Sequence, residues 1–123
     1  MLSYIILTES EKGAVRIIMN NAIYSIAEIA DRIIPVLEKY GVTSAYIFGS
    51  YARGEATQNS DIDLFIDASN IKGLFMLSAL YEELKEALEK DIDLVTMNSL
   101  KYNTDDDFVQ NVRKDSVLLY ECA

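Results

Sequence analysis

The stretch Asp61-Ile62-Asp63-Leu64-Phe65-Ile66-Asp67 constrains this chain more than any other. Side chains of a strand alternate between faces, so Asp61 and Asp63 share one face while Ile62, Leu64 and Ile66 take the other. Apart from its acids the run is almost continuously apolar, the pattern of a strand covered by helices. Two carboxylates side by side on a rigid strand repel unless they are protonated or bridged by a cation, and a divalent metal is the natural bridge. Upstream, Tyr46-Ile47-Phe48 is a short apolar segment that stops at Gly49-Ser50. Such a break lets a strand hand over to a helix whose first N–H groups can bind a phosphate. The whole stretch from Ala45 to Asp67 therefore reads as a phosphate-and-metal site.

The flanking sequence supplies its support. Ser25-Ile26-Ala27-Glu28 fits a capping box and opens a helix with Ile26, Ile29, Ala30, Ile33, Val36 and Leu37 on one face, closed by Gly41. Pro35 removes one backbone donor and is expected to kink that helix or leave it locally irregular. Val42 to Phe48 reads as the first central strand, Ser50 to Gly54 as a turn of helix, and Glu55 to Ser60 as a polar loop. Ser69 or Asn70 can cap a helix from Ile71 to Lys90, whose Leu74, Leu77, Leu80, Tyr81, Leu84 and Leu88 keep helical spacing. Asp91-Ile92-Asp93-Leu94-Val95 repeats the alternation as a third strand. Asp105 to Asp107 suit a helix N-terminus, and Ser116 to Glu121 a last strand. Residues 1–22 suggest a short extended piece followed by a short helix, packed on a single domain over 23–123.

Composition narrows the chemistry. A chain of 123 residues, 50% of them hydrophobic, suits one domain that buries roughly two-thirds of its unfolded surface. The formal charge of −9, with eleven scattered Lys and Arg, argues against a nucleic-acid or anionic-membrane footprint. Nothing approaches the run of about 18 apolar residues that spans a membrane, and MLSYIILTESEK lacks the flanks of a signal peptide, so a cytoplasmic location is expected. Cys122 is the single cysteine and histidine is absent, which excludes an internal disulfide, a Cys/His zinc site and a histidine base. Carboxylates, hydroxyls, Arg and Lys must carry the reaction.

If the strand at Asp91 lies beside the strand at Asp61, Asp93 completes a three-carboxylate cluster with Asp61 and Asp63. Hard oxygen ligands suit Mg²⁺ or Mn²⁺, and two such ions would serve in-line displacement at phosphorus. Gly49 and Ser50 would hold phosphates through backbone N–H and hydroxyl, and Arg53 would neutralise their charge. Each part has a plainer explanation. Asp-x-Asp pairs occur at strand ends by chance, an isolated Arg53 suits a solvated surface, Asp67 and Asp91 suit strand-end capping or exposure, and Tyr46 suits the core. The joint pattern is what carries weight.

With Gly49-Ser50, ten residues, then Asp61-Ile62-Asp63, the sequence resembles the minimal nucleotidyltransferase (MNT) family of the DNA polymerase beta superfamily. The likeness is carried by GSYARGEATQNSDIDLFID, by the approach Lys39-Tyr40-Gly41 and by the later DIDLVT, and it extends across residues 24–121. It implies an α/β fold of the α+β kind, with a small mixed sheet flanked by helices. It also implies ATP as donor and Mg²⁺ as cofactor, with Asp61, Asp63 and Asp93 as the metal-binding and catalytic carboxylates. Gly49, Ser50 and Arg53 would be the triphosphate holders. Members commonly act beside a helical HEPN protein as antitoxin to its toxin, transferring AMP to a tyrosine of the partner. A small acidic core without an acceptor domain fits that role, or a homo-oligomer. Two other functions stay open at this point: a binding module that covers its partner without using nucleotide, and adenylylation of a small hydroxylated molecule.

Overall fold

The computed structural model describes residues 22–101 and 106–122, so the expectations for residues 1–21 lie outside the described part. The element order is α1 (Ile26–Lys39), β1 (Ser44–Phe48), α2 (Gly49–Arg53), β2 (Ile62–Asp67), α3 (Gly73–Leu88), β3 (Ile92–Thr96), α4 (Met97–Lys101), α5 (Asp106–Asp115) and β4 (Val117–Glu121). The strands form one mixed sheet in the order β3-β2-β1-β4. β1 is antiparallel to β2 and to β4, whereas β2 and β3 are parallel. A parallel pair needs a long crossover, and α3 supplies it.

Side chains alternate between the two faces of the sheet, and both faces carry buried residues. Ile62, Leu64 and Ile66 of β2 are fully buried with Ala45 and Ile47 of β1. Against this face pack Ile29, Ile33 and Leu37 of α1 and Leu80, Leu84 and Leu88 of α3, each set at four-residue spacing and so on one stripe of its helix. The opposite face is covered in part by α5, where Val112 packs with Phe48 and Phe65. Polar ties fasten the two long helices. Lys39 Nζ donates to Glu83 Oε1 at 2.8 Å, Tyr40 Oη donates to the same carboxylate, and Arg32 Nη1 donates to the Ala87 carbonyl at 3.2 Å.

Helix α1 opens with the expected capping box, Glu28 N–H donating to Ser25 Oγ at 3.1 Å and Ser25 N–H to Glu28 Oε1 at 2.9 Å. It stays unbroken across Pro35. The expected cap of α3 is a correction. Ser69 N–H donates to Asp67 Oδ1 at 3.0 Å, and Asn70 Nδ2 donates to the Gly41 carbonyl at 3.2 Å. Both residues are thus engaged in the turn, and the helix starts later, after Lys72, without a side-chain cap. Leu74, expected on the apolar stripe, is 77% exposed, as are its neighbours Phe75 (85%) and Met76 (44%) on the first turn of α3.

Candidate active site

The acids and the Gly-Ser turn meet on the α5 side of the sheet. Asp63 pairs across the antiparallel ladder with Phe48, the last residue of β1, and across the parallel ladder with Asp93. Residues paired this way sit on adjacent strands about 4.8 Å apart and point to the same face. Asp61 precedes β2 by one residue and is held there through Ile62, whose N–H donates to the Asp91 carbonyl at 3.0 Å. Asp61 and Asp93 are exposed and Asp63 is half-buried, so the row opens to solvent on both flanks.

Electrostatics single out Asp63. Burial first, then the negative charges of Asp93 and Asp61, push its carboxyl up to about 6, and Arg53 opposes the shift. Three acids are thus close enough for Asp63 to feel both neighbours. Even so, among the described residues no set of three acidic side chains forms a ready-made cage for a metal ion. A closed cage is not required, because Mg²⁺ bound with a nucleotide takes one or two carboxylates and completes its shell with phosphate oxygens and water.

Gly49 sits where the chain leaves β1, with φ +70°, and begins α2. A β-carbon built there would overlap Asp63 Oδ2 and lie 3.0 Å from its Cγ. The backbone of the Gly-Ser turn therefore presses directly on the carboxylate, an approach only glycine permits. No side chain caps the start of α2, and Tyr51 anchors that short helix in the core. Ser50 follows Gly49 at the same edge, partly exposed.

Arg53 lies on the same side but is already engaged. Its Nε donates to Glu55 Oε1 at 2.9 Å and its Nη1 to Asp115 Oδ2 at 3.3 Å. A phosphate would have to compete with both carboxylates. Asp67 caps the turn after β2, and Asp91 lies 3.5 Å from Lys85 Nζ, so neither joins the cluster. Tyr46 is partly buried and packs on the Phe65 ring at 5.7 Å.

Sequence reasoning missed two features beside these acids. Leu74, Phe75 and Met76 on the first turn of α3 are 77%, 85% and 44% exposed. Leu74 and Leu77 line both a cavity of about 610 Å³ at the C-terminal ends of β2 and β3 and a groove of about 390 Å³ that follows the β3 edge to Asp93. Their helical spacing reads as core and conceals the exposure. The second feature is Lys90, buried before β3.

A mixed sheet with register-matched acids on two strands and a glycine-started turn pressed against one of them defines a nucleotidyltransferase. The chain belongs to the polymerase beta nucleotidyltransferase family, whose model matches residues 31–122. It is 47% identical over 76 residues to a Methanocaldococcus jannaschii chain assigned as a protein adenylyltransferase, covering 62% of this chain and 82% of that one. It is 42% identical over 64 residues to the protein adenylyltransferase MntA of Thermococcus cleftensis, covering 52% of this chain and 65% of that one. Among solved structures it resembles a toxin–antitoxin with AMP-PNP, with TM-score 0.60 and 28% identity over 76% of this chain and 73% of that one. It also resembles the complex of tri-AMPylated Shewanella oneidensis HEPN toxin with MNT antitoxin, with TM-score 0.55 and 25% identity over 76% and 71% of the two chains. Among the described residues, no helix is long and apolar enough to cross a membrane.

Proposed function

We propose that this nucleotidyltransferase transfers AMP from ATP to a tyrosine hydroxyl of a HEPN-type partner protein and so acts as its antitoxin. The observation that carries the reading is Asp63. A carboxyl pushed up to about 6 by burial and by Asp93 and Asp61 is a site that gains from positive charge. Its all-oxygen surroundings suit Mg²⁺, with Asp61, Asp63 and Asp93 as holders. When bound, the metal would offset phosphate charge and ease loss of the acceptor proton. The N–H groups at Gly49 and Ser50 and the Ser50 hydroxyl orient the triphosphate, and Arg53 exchanges a carboxylate for a phosphate oxygen. Asp93, exposed at the sheet edge, faces the incoming hydroxyl and helps activate it. The new bond joins that oxygen to the α-phosphorus, the bond to pyrophosphate breaks, and the hydroxyl proton leaves.

The relatives favour a protein acceptor: one solved neighbour pairs a tri-AMPylated HEPN toxin with its MNT antitoxin. Within this chain, the apolar turn Leu74-Phe75-Met76 and the groove leading from it to Asp93 give a protein partner a footing beside the acids. Mass spectrometry of a co-expressed HEPN partner tests the reading. Additions of AMP with wild-type protein, lost with Asp61→Ala plus Asp63→Ala, are the expected result, whereas an unmodified but bound partner would leave only a covering role. Phe75→Ser should weaken partner binding by about tenfold or more, since an exposed aromatic at the heart of an interface contributes over 1 kcal/mol. Titration calorimetry against wild type measures it, and unchanged affinity would move the interface elsewhere.

A further inference from the structure

Lys90 is 3% exposed, an unusual place for an ammonium, and lies immediately before the strand that carries Asp93. Its neighbours Ile92 and Leu94 face the helical core, while Asp93 faces the other side of the sheet. Lys90 Nζ donates to the Gln58 carbonyl at 3.3 Å and lies 6.0 Å from the Tyr24 ring, whose hydroxyl donates to the Leu88 carbonyl at 2.9 Å. Gln58 belongs to the loop between α2 and β2. That loop is a tight turn in which Thr57 N–H donates to Ser60 Oγ at 2.8 Å and Ser60 N–H to the Thr57 carbonyl at 3.1 Å. One residue after Ser60 comes Asp61, which lies outside β2 and lacks the ladder that fixes Asp63.

We infer that Lys90 is a positioning residue that braces the 55–60 loop against the start of β3 and thereby holds Asp61 in line with Asp63 and Asp93 for a divalent cation. The ammonium reaches the loop from the core side, and Ile62 N–H reaches the Asp91 carbonyl from the loop side at 3.0 Å. Together the two bonds clamp both ends of the segment that presents Asp61. Without the donor at Lys90, the exposed turn at Gln58 loses the charged partner that ties its carbonyl to the start of β3, and the turn is released into solvent. Asp63 and Asp93 keep their register through the ladder, so the effect falls on Asp61 alone. Residues that orient metal-binding side chains change metal affinity by about 10- to 100-fold when replaced.

The inference depends on the metal reading of the acids, and Mn²⁺ separates the two. Mn²⁺ titration of the full chain, followed by electron paramagnetic resonance, is combined with amide exchange of residues 57–61. With Lys90→Met, Mn²⁺ binding should weaken about tenfold and exchange at 57–61 should rise while α1 and α3 stay protected. Lys90→Arg, which keeps a charged donor, should restore most of the affinity. Lys90→Gln replaces Lys90→Met should the latter fail to fold. Absence of Mn²⁺ binding by the wild type would sink the metal reading itself. Wild-type binding with equal affinity in Lys90→Met, or exchange rising uniformly through the domain, would overturn the brace.

Discussion

Asp63→Asn is expected to lower kcat/KM for AMP transfer by about a thousandfold or more, equivalent to about 4 kcal/mol of transition-state stabilisation, while making the metal-free protein more stable at neutral pH. The two effects have one origin. Folding places Asp63 in a half-buried position next to Asp93 and Asp61, which raises its carboxyl from 3.8 to about 6. A raised acid binds its proton more tightly in the folded state than in the unfolded one. Its contribution therefore favours folding least above the folded value and is neutral below the unfolded value. As pH climbs from about 4 to about 6, the unfolded chain releases the proton first and stability falls. After discounting for partial exposure, the cost at pH 7 is about 1–2 kcal/mol. Asparagine removes it. Urea melts with chelator should show Asp63→Asn more stable than wild type at pH 7 and equal to it at about pH 3, below the unfolded value. Saturating Mg²⁺ should stabilise the wild type and leave the variant unchanged. Retained activity, or a less stable variant at pH 7, would remove Asp63 from the centre of the site.

The parts of this fold legible in the sequence are those governed by local periodicity. Helix α1 follows from its capping box and from Ile29, Ile33 and Leu37, and β2 from the alternation that buries Ile62, Leu64 and Ile66. The parallel neighbour of β2 was legible only as a condition, because whether β3 lies beside it depends on a crossover that composition does not encode. The structure satisfies that condition and sets Asp63 opposite Asp93. Expectations failed where a side chain had a competing partner far away in sequence. Asn70 could cap a helix, but it serves the Gly41 carbonyl, and α3 begins late. Equally illegible was the ion pair that Arg53 makes at 3.3 Å with Asp115, from the far end of the chain. Helix α4 has only five residues, MNSLK, too few to show a period. The buried Lys90 was invisible for the same reason as Asp115: its partner, the Gln58 carbonyl, is a backbone atom brought near by the fold.

Gly49→Ala should cost both stability and activity out of proportion to a single methyl group, and the two parts of its cost can be separated. One part is conformational, since φ +70° puts an alanine in the left-handed region at about 1–2 kcal/mol. The other is steric, because the added carbon overlaps Asp63 Oδ2 and forces the carboxylate or the turn to move. Gly54 isolates the first part. It has φ +74° with nothing within 4 Å of an added β-carbon, so Gly54→Ala should lose only the conformational share. Asp63→Ala isolates the second, because shortening the side chain clears the space that the new methyl needs. In a double-mutant cycle, Gly49→Ala should therefore be less destabilising in the Asp63→Ala background by about 1 kcal/mol or more, a coupling expected only of residues in contact. Activity should respond more sharply than stability. Displacing the carboxylate or the phosphate-binding turn by about 1 Å can lower a rate a hundredfold, and Gly49→Ala moves one or both. Chemical melts of the four proteins of the cycle and of Gly54→Ala, with kcat/KM for Gly49→Ala and Gly54→Ala, give the comparison. If Gly49→Ala costs no more than Gly54→Ala, or if the cycle closes without coupling, the close approach of turn and carboxylate does not constrain this site.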